Sequence, residues 1–353
     1  MMIAPSQRVL RSAINPCWLA PLGERMPAIN DVPISIWFHE DSNQYILSWL
    51  NFSGRKLCRP FFRQDVSEQL AQVGLDNLKG AELFDSLAHM AAVGRYHHPN
   101  GFIFHASHCG STLTVQLLRA ISGAVVVSEP EVVNQVLGMS TKMGHEISIK
   151  CLRMLLPILC ATASGKTYPR YSFVKFTSWN ILFLRLLREA FPAVPWIFLF
   201  RDPVEIMVSL VPKLKRRPDF PRLRAIDLEI SRLGYPPRNS QQVENNAAKL
   251  IDIYFRSALE MADQASALVN YPDIKECFPS IARWGFSVPL DKKTLHDIKK
   301  AGFYDAKNPD KGVFVSDALN KQLMASDDIR AAVKRWVDVR YEQLLRASHS
   351  VSG

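Results

Sequence analysis

The chain has few cysteines for its size: six in 353 residues, with no CxxC pair and no other metal-ligand spacing. That pattern argues against a disulfide-stapled scaffold and against a zinc or other metal site, and it fits a reducing, cytoplasmic setting. No stretch reaches the ~18 uninterrupted apolar residues of a membrane-spanning helix. The nearest, Cys151 to Ala163, is broken by Arg153 and Pro157 and is expected as a buried core helix. Internal repeats, low-complexity segments, RNP-type aromatic motifs and long lysine or arginine runs are also missing, so a repeat protein or a specific nucleic-acid module is not indicated. The residues before Glu24 lack the apolar core of a signal peptide. They carry two arginines and no acid, a faint likeness to a transit peptide, and are read as a tail. Finally, the string GxxxxGK[ST] does not occur, so the lysine that reaches the β- and γ-phosphates of ATP in a P-loop kinase is absent.

What is present is ordinary globular composition, 48% apolar and 22% charged, with a net charge of +10 that points to an anionic partner. Nucleic acid, an anionic membrane surface and a multiply phosphorylated ligand all satisfy that charge. The densest basic patch, Lys213 to Arg217, is short and reads as a solvated helix end or loop. Two β-rich runs, Pro33 to Asp41 and Tyr45 to Phe62, predict a small antiparallel meander. Helical spacing follows at Val66, Leu70 and Val73 and again at Leu83, Leu87 and Met90, with Gly80 as a break. Turn chemistry at His97 to Gly101 suggests a boundary between an N-terminal region, 1–98, and a second domain, 99–353. Beyond it, five short apolar strands at Phe102, Ala124, Tyr171, Trp196 and Ser266 alternate with amphipathic stretches, which predicts an α/β fold with a parallel sheet flanked by helices. A terminal helix is expected from Asp327, with Asp327 as its cap.

Two segments carry the chemistry. The run Gly101 to Leu118 reads as a strand, a loop and the start of a helix. In it Ser107, His108, Cys109 and Gly110 would let backbone N–H groups converge on an anion, while Ser111 and Thr112 add hydroxyls at the positive end of a helix dipole. An ordinary strand-to-helix turn with small residues would have the same string. The run Pro195 to Leu210 ends a strand at Arg201 and opens a helix, with Asp202 at the N-cap, Pro203 in the first turn and Glu205 in capping-box spacing. Ser209 falls two turns on, so Arg201 and Ser209 are placed to share one phosphate. Alternatively Arg201 pairs with Asp202 or a sheet-edge carboxylate and Ser209 is a packing residue.

With both segments in view, the chain resembles the PAPS-dependent sulfotransferases, whose bacterial-type members have a P-loop sheet. Ser107 to Leu113 resembles that family's 5′-phosphosulfate loop, commonly [KR]-x-G-[ST]-T, and Arg201 with Ser209 resembles its 3′-phosphate motif. The resemblance covers roughly Gly101 to Tyr271. It implies 3′-phosphoadenosine 5′-phosphosulfate (PAPS) as donor, PAP as product, no metal requirement, and a small-molecule, lipid or glycan acceptor carrying a hydroxyl or amine. By the same resemblance Lys175, ending the third strand, reaches the active site, and Glu129, in a Ser-Glu-Pro turn, is the first choice of general base, ahead of Glu131 and His145. Lys307 or Lys311, in a turn-rich C-terminal segment, would reach the 3′-phosphate. The chain departs from the pattern at His108, where a lysine or arginine is usual, and at Tyr271, where Pro272 replaces the expected acid beside it. His108 and Lys175 would then stabilise charge on the departing 5′-phosphate. A Mg-dependent P-loop kinase, with Asp202 on the metal, and a non-catalytic nucleotide- or RNA-binding module are the competing readings.

Overall fold

The computed structural model describes residues 25–165, 168–216, 224–237, 242–305, 312 and 316–349. In chain order the strands are β1 (Asp31–His39), β2 (Gln44–Asn51), β3 (Leu78–Glu82), β4 (Gly101–His105), β5 (Ala124–Ser128), β6 (Tyr171–Lys175), β7 (Trp196–Phe200) and β8 (Ser266–Asn270). The helices that matter below are α1 (Phe62–Val73), α2 (Leu83–Val93), α3 (Ser111–Arg119), α4 (Glu131–Met143), α5 (His145–Thr162), α6 (Pro203–Arg216), α7 (Val243–Met261), α8 (Ala318–Met324), α9 (Asp327–Trp336) and α10 (Asp338–His349). The protein is α/β: a five-stranded parallel sheet in the order β5-β6-β4-β7-β8, flanked by helices, and a separate three-stranded antiparallel sheet, β1-β2-β3. Strands β4, β5 and β7 are buried along their whole length. Covering both faces of a parallel sheet removes the need for polar alternation, which is why they read as unbroken apolar runs.

The chain forms two compact units, one from Met1–Asn100, Ser122–Lys175 and Leu186–Pro192, the other from Gly101–Ile121, Phe176–Arg185 and Ala193–Gly353. In the first, β1 and β2 pair antiparallel with Trp37 opposite Ile46 and Phe38 opposite Tyr45. The third strand of this sheet was not foreseen. Gly80, expected to break a helical stretch, lies in β3 opposite Ser48 of β2, and Lys79 beside it pairs with the fully buried Asp31 at 2.6 Å. Pairing with an existing strand outweighs the helical spacing on either side, as β-propensity commonly yields to context. α5 holds Cys151 and Cys160, whose burial pushes both thiols up to about 12 and keeps them un-ionised.

In the second unit α6 begins as expected: Asp202 Oδ1 accepts from the amides of Val204 at 2.8 Å and Glu205 at 3.4 Å. The reciprocal half of the capping box does not form, because Glu205 turns to Arg201 instead. The C-terminal stretch is two helices, not one. Ser326, not Asp327, caps α9, accepting from Ile329 N at 3.3 Å, and the helix ends at Trp336 beside the fully buried Val337. No helix among the described residues is long and apolar enough to cross a membrane.

Candidate phosphate-binding site

The loop between β4 and α3 is built on strained backbone. Ser107 and His108 both adopt positive φ, 72° and 51°, and Gly110 follows at 82°. A left-handed conformation costs a non-glycine residue about 1–2 kcal/mol, and residues held so tend to sit at functional sites. Several bonds fix the loop. Ser107 N donates to His105 Nδ1 at 3.0 Å, and the buried thiol of Cys109 donates to the carbonyl of Leu199 in β7 at 3.0 Å. The first of these differs from the expectation that the amides of Ser107 to Gly110 converge on an anion: the Ser107 amide is bonded to an imidazole. The Cys109 side chain likewise anchors the loop and does not face a ligand. Ser111 and Thr112, both buried, open α3.

Gly110 is required twice over. Its φ suits glycine, and a Cβ built there would come within 2.5 Å of Tyr271 Cδ2 and 2.7 Å of Ile274 Cδ1. The same Tyr271 ring lies under the Arg201 guanidinium, with Cζ 4.2 Å from the ring centroid. Tyr271 thus packs against both the loop and the arginine, despite the departure at its neighbour Pro272. Burial raises its phenol above the ordinary value, so it stays neutral near pH 7.

Arg201 is buried, at 3% exposure. Its Nε pairs with Glu205, its Nη2 donates to Asp317 at 2.7 Å, and its Nη1 points to the His108 carbonyl at 3.5 Å. Burial alone would lower its pKa, but the two carboxylates more than reverse this and raise it. Arg201 does pair with carboxylates, but they are Glu205 of α6 and Asp317 before α8, neither Asp202 nor a sheet-edge residue. Ser209, half-buried on the same face of α6, donates to the Glu205 carbonyl at 3.4 Å. One turn further along that face, Lys213 reaches across to His108: Nζ lies 2.8 Å from Nε2.

Four residues of this cluster carried no assigned role in the sequence: Glu205 beyond its cap, Tyr271, Asp317 and Lys213. The signal for Lys213 was available, since Glu205, Ser209 and Lys213 repeat at intervals of four and therefore share a helix face. Asp317 lies 116 positions from Arg201 and had no local signal. Lys307 and Lys311 fall outside the described residues.

The remaining candidates lie in the first unit. Glu129 has positive φ, 56°, and its amide donates to the Lys175 carbonyl at 2.7 Å. Its carboxylate forms an ion pair with Lys175 Nζ, which is 1% exposed and also lies 5.0 Å from the Phe61 ring centroid. The expected base and the expected cation are therefore partners. Glu131 is exposed in the first turn of α4, and His145 is bound to Glu189 at 2.6 Å on the surface. Neither shares the environment of Glu129.

No protein-family model and no characterised sequence matches the chain. Among solved structures it is similar to the sulfotransferase STF9 from Mycobacterium avium, with a TM-score of 0.41 and 12% identity over 74% of this chain and 83% of that one. It is also similar to the sulfotransferase domain of the curacin biosynthetic pathway, with a TM-score of 0.37 and 12% identity over 68% and 98%. A third is retinol dehydratase in complex with androsterone and the inactive cofactor PAP, at 0.28 and 14% over 72% and 81%.

Proposed function

We propose that this protein is a PAPS-dependent sulfotransferase, moving a sulfuryl group from PAPS to a hydroxyl or amine of a small-molecule, lipid or glycan acceptor. The observation that carries the reading is Tyr271. Its ring packs on Gly110 of the strained loop and under Arg201, which joins two motifs far apart in sequence into one cluster. In this reading the remaining loop amides and the hydroxyls of Ser111 and Thr112 hold the 5′-phosphosulfate, and Arg201 with Ser209 holds the 3′-phosphate, displacing Asp317 from the guanidinium. Lys307 and Lys311 stay secondary candidates for the 3′-phosphate.

The acceptor oxygen attacks sulfur, the bond from sulfur to the 5′-phosphate oxygen breaks, and PAP leaves. The acceptor proton passes to a base. Glu129 is assigned that role, its carboxylate held in place by the ion pair with the buried Lys175. Lys175 is the cation of this pair, and the neutral imidazole of His108 offers a hydrogen-bond donor. In this reading Asp202 acts as the cap of α6 through Oδ1 and not as a metal ligand.

A thermal-shift series tests the reading. PAP without metal is expected to raise Tm, whereas ATP with or without Mg²⁺ gives a smaller shift. Stabilisation by ATP and Mg²⁺ alone overturns it in favour of a kinase. For the base, PAP release from PAPS is measured with a panel of alcohols, phenols and amines. Glu129→Gln is expected to slow release by about 10²-fold or more, and full turnover in that variant removes the assignment.

A further inference from the structure

The loop lacks the cation that its motif usually carries, and the structure brings one in from elsewhere. An ammonium has three donors and no acceptor, so the 2.8 Å contact makes Lys213 the donor and His108 Nε2 the acceptor. The imidazole is then neutral, with its proton on Nδ1. His108 is engaged a second time through its carbonyl, which faces Arg201 Nη1 at 3.5 Å. One half-buried residue in a left-handed conformation, φ 51°, is thus gripped from both sides by cations whose positions are set by β7 and α6. Ser209 lies between them, one turn from Lys213 and two turns past Arg201.

We propose that Lys213 is the cation of the phosphate loop: a positioning residue that sets the tautomer of His108 through Nε2 and places positive charge at the end of the site that holds the ligand's 5′-oxyanion. The basic patch from Lys213 onward then divides in function, with Lys213 on the site face and Lys215 on another, where it pairs with Glu244 at 2.8 Å. This inference rests on the sulfotransferase reading for the identity of the ligand and extends it to a residue outside both sequence motifs.

The test uses two nucleotides that differ only at the 5′ end. PAP carries both phosphates and adenosine 3′-monophosphate carries only the 3′ one. By titration calorimetry, Lys213→Met is expected to weaken PAP by about tenfold or more, as removal of one charge-assisted contact does, while leaving adenosine 3′-monophosphate unchanged. Lys213→Arg should keep PAP affinity within a few-fold of wild type. The double variant His108→Lys/Lys213→Met, which moves the cation into the loop itself, should recover PAP binding. Equal loss for both nucleotides, unchanged PAP affinity in Lys213→Met, or no recovery in the double variant overturns the inference while the sulfotransferase reading stands. A wild-type protein that binds neither nucleotide overturns both.

Discussion

Arg201 shows how much of a binding site is decided by what a side chain already holds. Buried guanidinium is tolerated because Glu205 and Asp317 balance it, and of the two Asp317 is the exchangeable partner: its side chain is 51% exposed, against 10% for Glu205. Under the proposed function an incoming phosphate competes with Asp317 for Nη2. Asp317→Asn is therefore expected to tighten PAP binding several-fold in titration calorimetry, and weaker binding removes Asp317 as a competitor. Partial burial pushes the Asp317 carboxyl up, but its bonds to Arg201 and Lys321 outweigh this and hold it below the usual carboxylate range. A depressed folded-state pKa contributes stability that is complete above the unfolded value, about 3.9, and fades as pH falls through the lower folded value. Wild type should therefore lose its small stability advantage over Asp317→Asn as pH drops below about 4, measured as ΔTm between the two proteins. The effect is modest because solvent screens a half-exposed carboxylate.

At the scale of the elements, loop and cap are the points where one atom matters. Gly110→Ala adds a Cβ that meets the Tyr271 ring and forces a residue with a side chain into φ 82°. It should destabilise the protein by about 1–3 kcal/mol and abolish PAP binding, read as a lower Tm with no PAP-induced rise. Asp202→Ala removes the cap of α6 and should cost about 1 kcal/mol, with PAP affinity reduced because α6 carries Ser209 and Lys213. The strands of the parallel sheet were legible because burial on both faces leaves an unmistakable apolar run at Trp196–Phe200 or Ala124–Ser128. The strand-loop-helix order of Gly101–Leu118 and the strand end at Arg201 were legible because each apolar run stops at small, hydroxyl-bearing or charged residues that open a helix. β3 was not legible, since only five residues, Leu78–Glu82, separate two helical patterns and their partner strand is remote in sequence. Nor were the contacts of Asp317 and Lys213, which depend on where the chain returns and not on any local pattern. The pairing of Glu129 with Lys175 belongs with these: each was singled out, but nothing in their spacing of 46 said that they meet.

For the molecule as a whole, a net charge of +10 guarantees some attraction to any polyanion. That attraction and the specific site differ in their response to salt. Affinity for single-stranded RNA should fall steeply with ionic strength, with a slope set by the number of phosphates neutralised, whereas PAP affinity, anchored on a buried arginine, should fall less. A PAP titration that follows the RNA slope would point to diffuse surface charge as the binding element. Along one face of α6, Glu205, Ser209 and Lys213 stand about 6 Å apart per step, and the first and last of them hold Arg201 and His108, which meet at 3.5 Å from Nη1 to the carbonyl oxygen. Under the proposed function, a shift of α6 along its axis would therefore disturb the contacts of Arg201 and His108 together, so whatever displaces the helix acts on both phosphates of the ligand at once.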